Sequence, residues 1–254
     1  MILRKLTVAL KEQNWSTVLL EILIVVVGIY VGLQVDGWNE TRKEKAKGKI
    51  YLERLARDIE RDVDLLSRSI QRADNRVADA VLAMNGLADP TLLESDPCQF
   101  LASIGRVSQI FFPVLYSHTF REIVSSGHLE LINSDDLKDE LGQYYTAHES
   151  AEQWMDSYRQ INLDYAKAFA GVLNRDQLKA VARFEDGEQC QIDIEQAMAA
   201  RQRILNREGL SDWLPRLEIR QERLSQRLQR SHATNALLQD LISTELRRFG
   251  RDQH

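Results

Sequence analysis

Breaks are scarce in this chain. Four prolines and 12 glycines in 254 residues leave long stretches with nothing to interrupt a helix. Alternation is missing too: no segment holds a period of two long enough to make a strand, so the predicted fold class is all-α. Cysteine is rare, and Cys98 and Cys190 lie far apart in no C-x-x-C pattern, which argues against zinc ribbons and thioredoxin-type redox motifs. The two cysteines allow one disulfide if the domain is exported and buried thiols if it is not, and both readings stay open. An excess of basic charge is also absent. With 33 Lys and Arg against 38 Asp and Glu, intermixed and netting −5, there is no basic face to hold nucleic acid.

The motifs of familiar chemistry are missing as well. No G-x-x-x-x-G-K-[ST], G-x-G-x-x-G or G-x-S-x-G occurs, so phosphate cradles and the hydrolase elbow are not indicated. His148-Glu149 opens like a zincin helix, but Glu152 stands where the second histidine is needed. His118 and His128 straddle a short predicted helix without an acidic or cysteine cluster to complete a metal site. Ser125-Ser126-Gly127 reads as a helix C-cap rather than a nucleophile turn. Asp135-Asp136 and Glu185-Asp186 read as capping and loop solvation rather than acid–base pairs. No catalytic, metal or cofactor residues are expected.

One long apolar run is present. Val18 to Val35 reads VLLEILIVVVGIYVGLQV, 18 residues that as a helix reach roughly 27 Å, against a hydrocarbon core of about 30 Å. Basic residues precede it (Arg4, Lys5, Lys11), yet no small-x-small cleavage site follows, so an uncleaved anchor is expected. Trp15 and Trp38 bracket it as interface anchors facing the lipid bilayer. Heptad spacing puts Glu21, Val25, Gly28, Gly32, Val35 and Asn39 on one stripe. Gly28 and Gly32 form a G-x-x-x-G notch that lets two helix backbones approach, and an intramembrane carboxylate such as Glu21 seeks a partner. Self-association, or docking on another protein's helix, is therefore expected. After the run come Arg42, Lys43, Lys45, Lys47, Lys49 and Arg54, six basic residues against three before it, which points the large C-terminal part to the cytoplasm.

The predicted organisation is an amphipathic segment over 1–17, a transmembrane helix over 18–35, a basic juxtamembrane stretch over 36–49 and an α-helical domain over 50–250. Leu52, Leu55, Ile59, Val63, Leu66, Ile70, Ala73, Val77, Val81, Met84 and Leu87 recur every three or four residues, giving a long apolar stripe. Later helices carry matching stripes, so an antiparallel bundle within the chain is expected ahead of an intermolecular coiled coil. Gly86 and the segment 88–97, with two Asp-Pro pairs, should stop this helix. Further helices are predicted from Cys98 to Phe111, from Tyr116 to Ser126 with Gly127 as cap, and from Ser134 onward to Val172. After an irregular 183–191, helices follow from Ile192 to Arg207 and, beyond Gly209, from Ser211 with Pro215 in its first turn.

Two stretches resemble an uncharacterised family of bacterial single-pass membrane proteins, domain-of-unknown-function family 6090. The first runs from Glu21-Ile22 through Gly28 and Gln34 to Trp38-Asn39-Glu40 and Arg42. The second is Thr119-Phe120-Arg121-Glu122-Ile123-Val124-Ser125-Ser126-Gly127, followed by Leu131-Ile132-Asn133, Leu137 and Tyr144-Tyr145. Gly37 departs from the Asn or Asp expected before the tryptophan. The resemblance implies a membrane anchor on a helical domain, in a bacterial inner membrane, and implies no activity. The expected role is a membrane-anchored scaffold or sensor-like protein without catalytic chemistry, in which span and long helix would form a stiff link. The alternatives are an accessory subunit of a larger membrane complex and, least favoured, an enzyme with an unrecognised site.

Overall fold

A computed structural model describes residues 15–185 and 187–251. The side chains of 15–18, 152–154 and 251 are outside the description. The amphipathic segment expected over Met1–Gln13 also lies outside the described residues, as does the Trp15 side chain. Seven α-helices and no strands occur among the described residues: α1 (Trp15–Ala88), α2 (Pro97–Arg106), α3 (His118–Ser125), α4 (Asp135–Phe169), α5 (Arg175–Glu185), α6 (Ile194–Leu205) and α7 (Trp213–Arg251). The chain divides into two units, Met1–Tyr51 and Leu52–His254.

In the first unit the helix carries an apolar stretch of mean hydropathy 2.1, long enough to cross a bilayer, with none of its best window buried. Every residue from Leu19 to Val35 is exposed. A soluble core helix would bury one face of such a stretch; this one buries none.

The second unit is a bundle of α1, α4 and α7, closed by α2, α5 and α6. Polar contacts fix its directions. Asn235 donates to the Ile59 carbonyl (3.0 Å) and Ser225 to Asp74 (2.6 Å), so α7 runs antiparallel to α1. Along α4, Tyr144 meets Asn235 and Tyr158 lies under Arg220, so α7 is antiparallel to α4 as well. The stripe on α1 is covered by the chain's own helices, as expected. The face has turned by about one residue, however. Asp62, Ser69, Asp79, Ala80 and Ala83 are buried, whereas Val81 is exposed and Val63, Ile70 and Val77 are half-buried.

The main apolar core gathers Ala83, Leu87, Phe100, Leu101, Tyr165, Ala200, Ile204 and Leu214. Gly86 does not stop α1; it sits in the last turn because a Cβ there would meet the Phe100 ring at 2.6 Å. The helix ends at Ala88, where Arg201 donates to the Gly86 and Leu87 carbonyls (3.0 and 2.6 Å). Arg207 likewise takes the Ala168 and Ala170 carbonyls at the end of α4 (both 2.6 Å). The helix predicted from Cys98 to Phe111 ends at Arg106, and Val107 to Ser117 crosses the bundle irregularly. α5 was not expected from periodicity. Asn174 and Gln177 cap it reciprocally, each side chain accepting the other's backbone N–H (2.8 and 3.0 Å). Ser134 caps α4 through the Leu137 N–H, and Gly127 and Gly209 take left-handed conformations as expected (φ 70° and 73°).

Candidate functional site

Polar side chains concentrate where α1 meets α3, α4 and α7. Asp62, fully buried, accepts the Tyr116 N–H (2.8 Å) and the Tyr144 hydroxyl (3.1 Å). One turn earlier Asp58 accepts from the Thr119 hydroxyl, and Arg54 forms a two-pronged pair with Glu122 (2.6 and 3.1 Å). Tyr145 donates to the Tyr116 carbonyl and stacks on Phe120. Asn235 donates to the Ile59 carbonyl and to Tyr144, while its Oδ1 is buried without a partner among the described residues. Three successive turns of α1 thus hold the segment from Tyr116 to Glu122.

The electrostatics follow from this placement. Burial pushes the Asp62 carboxyl up to about 6; the hydrogen bonds from Tyr116 and Tyr144 oppose that, and the Asp58 charge adds to it. Burial, then the Asp62 charge, raises the Tyr144 and Tyr145 phenols well above their ordinary range. A second polar group lies further along α1. Asp79 accepts from Arg76 (2.7 Å) and from two nitrogens of Arg106 (2.7 and 3.1 Å), and Arg106 reaches Glu185 at 3.6 Å. Asp186, its neighbour in sequence, is outside the described residues.

Beside the first cluster, a cleft of about 440 Å³ opens between α4 and α7. Leu66, Phe112, Tyr144, Ala147, Ala151 and Leu228 form its apolar lining, and Arg227, Arg230, Gln143, Glu140, Ser231 and Thr234 its polar lining. His148 also lines it, stacked on Phe112, with Nε2 accepting a long bond from the Leu115 N–H (3.5 Å).

The residues singled out from sequence fall differently. Glu21, Gly28 and Gly32 are exposed, as is Trp38, and a Cβ added at either glycine would meet nothing within 4 Å. Among the described residues no three His, Cys, Asp or Glu side chains assemble into a metal site. Ser126 forms the C-cap of α3: its hydroxyl reaches the Glu122 carbonyl (2.7 Å) and lies against His128 Nδ1. The hydroxyl has one proton to share between the carbonyl and the ring, and the capping position accounts for both contacts. Cys98, buried at the start of α2, is disulfide-bonded to Cys190 in the α5–α6 loop.

A family model of unknown function covers residues 21–151, more than half of the chain. The chain belongs to DUF6090. Comparison with curated proteins and with solved structures finds no match. The DUF6090 segment holds the apolar stretch from Glu21 onward together with Arg54, Asp58, Asp62, Thr119, Glu122, Tyr144 and Tyr145, and ends before α5, α6 and α7. The second stretch that resembled the family is therefore a structural latch: Thr119 and Glu122 bond α1, Gly127 turns the chain, and Tyr144 and Tyr145 close over it. Thr119, Glu122 and the tyrosine pair were visible in the sequence. Their partners Asp58, Asp62 and Asn235 were not, since nothing local distinguishes them from solvated polar residues.

Proposed function

We propose that this DUF6090 chain is a single-pass membrane protein of the bacterial inner membrane that carries a non-catalytic helical domain as a scaffold or sensor. The observation that carries this reading is the complete exposure of Leu19 to Val35, whose large apolar side chains are each more than half exposed. Scattered exposed apolar residues are ordinary, but a continuous cylinder of them needs a non-aqueous surround. Alkaline carbonate extraction of membranes is the test. The full-length chain should stay in the pellet; its release with peripheral proteins would refute the anchor.

The orientation rests on two opposed features. Six basic residues after the span point inward, but the charge rule weakens for long translocated domains. The Cys98–Cys190 bond belongs to an oxidising compartment. We therefore place the domain on the exported side, against the direction that the basic residues alone suggest.

A second reading, an accessory subunit docking through its span, is favoured by the glycine notch. No described residue of the chain uses the space left at Gly28 and Gly32, and close helix approach is what such pairs permit. Cysteines introduced at these positions and cross-linked would give a product of twice the chain mass for self-association. A heavier or mixed product would indicate a foreign helix.

A further inference from the structure

We propose that the cleft between α4 and α7 binds a small monocarboxylate with an apolar or aromatic body. This deepens the sensor reading and rests on it. The cleft's volume, about 440 Å³, falls within the range of small-molecule sites. Its lining is divided in character. Leu66, Leu228, Ala147 and the stacked Phe112–His148 pair offer apolar and aromatic surface to a hydrocarbon body. Arg227, which has a partner of its own, and Arg230 stand on the α7 side, and Glu140 on α4 is the one carboxylate among the described lining residues, so the α7 side is where an anion would be held.

Arg230 carries the sharper argument. Its Nε makes one long bond to the Gln226 carbonyl (3.4 Å), and its two terminal nitrogens have no partner among the described residues. A guanidinium presents paired N–H groups that match the two oxygens of a carboxylate. The wall behind is rigid: Tyr144, nearly fully buried, is held by Asp62 and Asn235, so one face of the cleft is formed before any ligand arrives. Ser231 and Thr234, one turn of α7 beyond Arg227 and Arg230, supply neutral hydroxyls to the same cleft.

The experiment is calorimetric titration of the detergent-solubilised full-length chain with acetate, hexanoate and phenylacetate, and with the uncharged phenylacetamide. Hexanoate or phenylacetate should bind saturably and more tightly than acetate, and phenylacetamide about tenfold more weakly than phenylacetate. Arg230→Gln, a change at an exposed position, should weaken carboxylate binding about tenfold while leaving the thermal transition unchanged. Ala147→Trp should fill the cleft and abolish binding. Absence of saturable binding by all three acids overturns the proposal, as does equal affinity for phenylacetamide or an Arg230→Gln variant that binds like the parent. Membrane retention is measured separately, so loss of the ligand site would leave the anchor standing.

Discussion

Asp62 is a carboxylate buried among neutral donors, with a second carboxylate, Asp58, one turn away on the same helix. Its folded value of about 6 lies above the 3.8 of an unperturbed aspartate. Between those two pH values the folded chain holds a proton that the unfolded chain has released, so stability falls as pH rises through that window. Above it the cost of the buried charge is complete; below it the cost is gone. Asp62→Asn keeps an acceptor for the Tyr116 N–H and removes the charge. We expect it to raise stability at pH 7 by on the order of 1–2 kcal/mol, part of the gain being offset by a weaker bond to Tyr144. Denaturant melts from pH 4 to 7 should show a slope in the parent and a flatter line in the variant. This residue also marks where sequence reading stopped. Apolar spacing selected Val63 and Ile70 for the core. The structure buries Asp62 and Ser69 instead, because Tyr116 and Tyr144, 54 and 82 residues away, satisfy the carboxylate.

At the level of elements, helix ends were legible where they are written in local chemistry. Ser134, Gly127 and Gly209 cap or turn as their side chains or their lack of Cβ demand. The Asn174-x-x-Gln177 box announces α5 in the same language, although the apolar period there is too short to do so. Gly86 is not a breaker, and the reason for a glycine there lies across the core. A Gly86→Ala change adds about 1 kcal/mol of helix preference, but its methyl would lie 2.6 Å from a Phe100 ring that is 2% exposed. Overpacking of that kind costs about 1–3 kcal/mol, so the net effect on thermal stability should be a loss. The apolar stretch gives another element-scale expectation. Gly28→Leu and Gly32→Leu should reduce association of the span in a membrane reporter assay, with Glu21→Ala smaller in effect and Val26 or Tyr30 variants near parent. Equal signals from all of them would make the notch incidental and the anchor a monomeric tether.

For the whole molecule, the fold class and the internal packing of the bundle followed from periodicity, whereas the pairing of Cys98 with Cys190 could not. Their sequence separation is 92, and only the packing of α2 against α5 and α6 brings them together. By chain entropy a closure of that length contributes about 4–5 kcal/mol if native geometry is unstrained, a contribution that a reducing compartment would remove. The central proposal is a membrane-anchored domain on the exported side. Proteolysis of intact spheroplasts expressing the full-length chain, with a tag after His254, tests it most directly. The account predicts that external protease removes the tagged domain and leaves a short N-terminal fragment in the membrane pellet. A chain that stays whole until the spheroplasts are lysed, or that leaves no membrane-bound fragment, would contradict it.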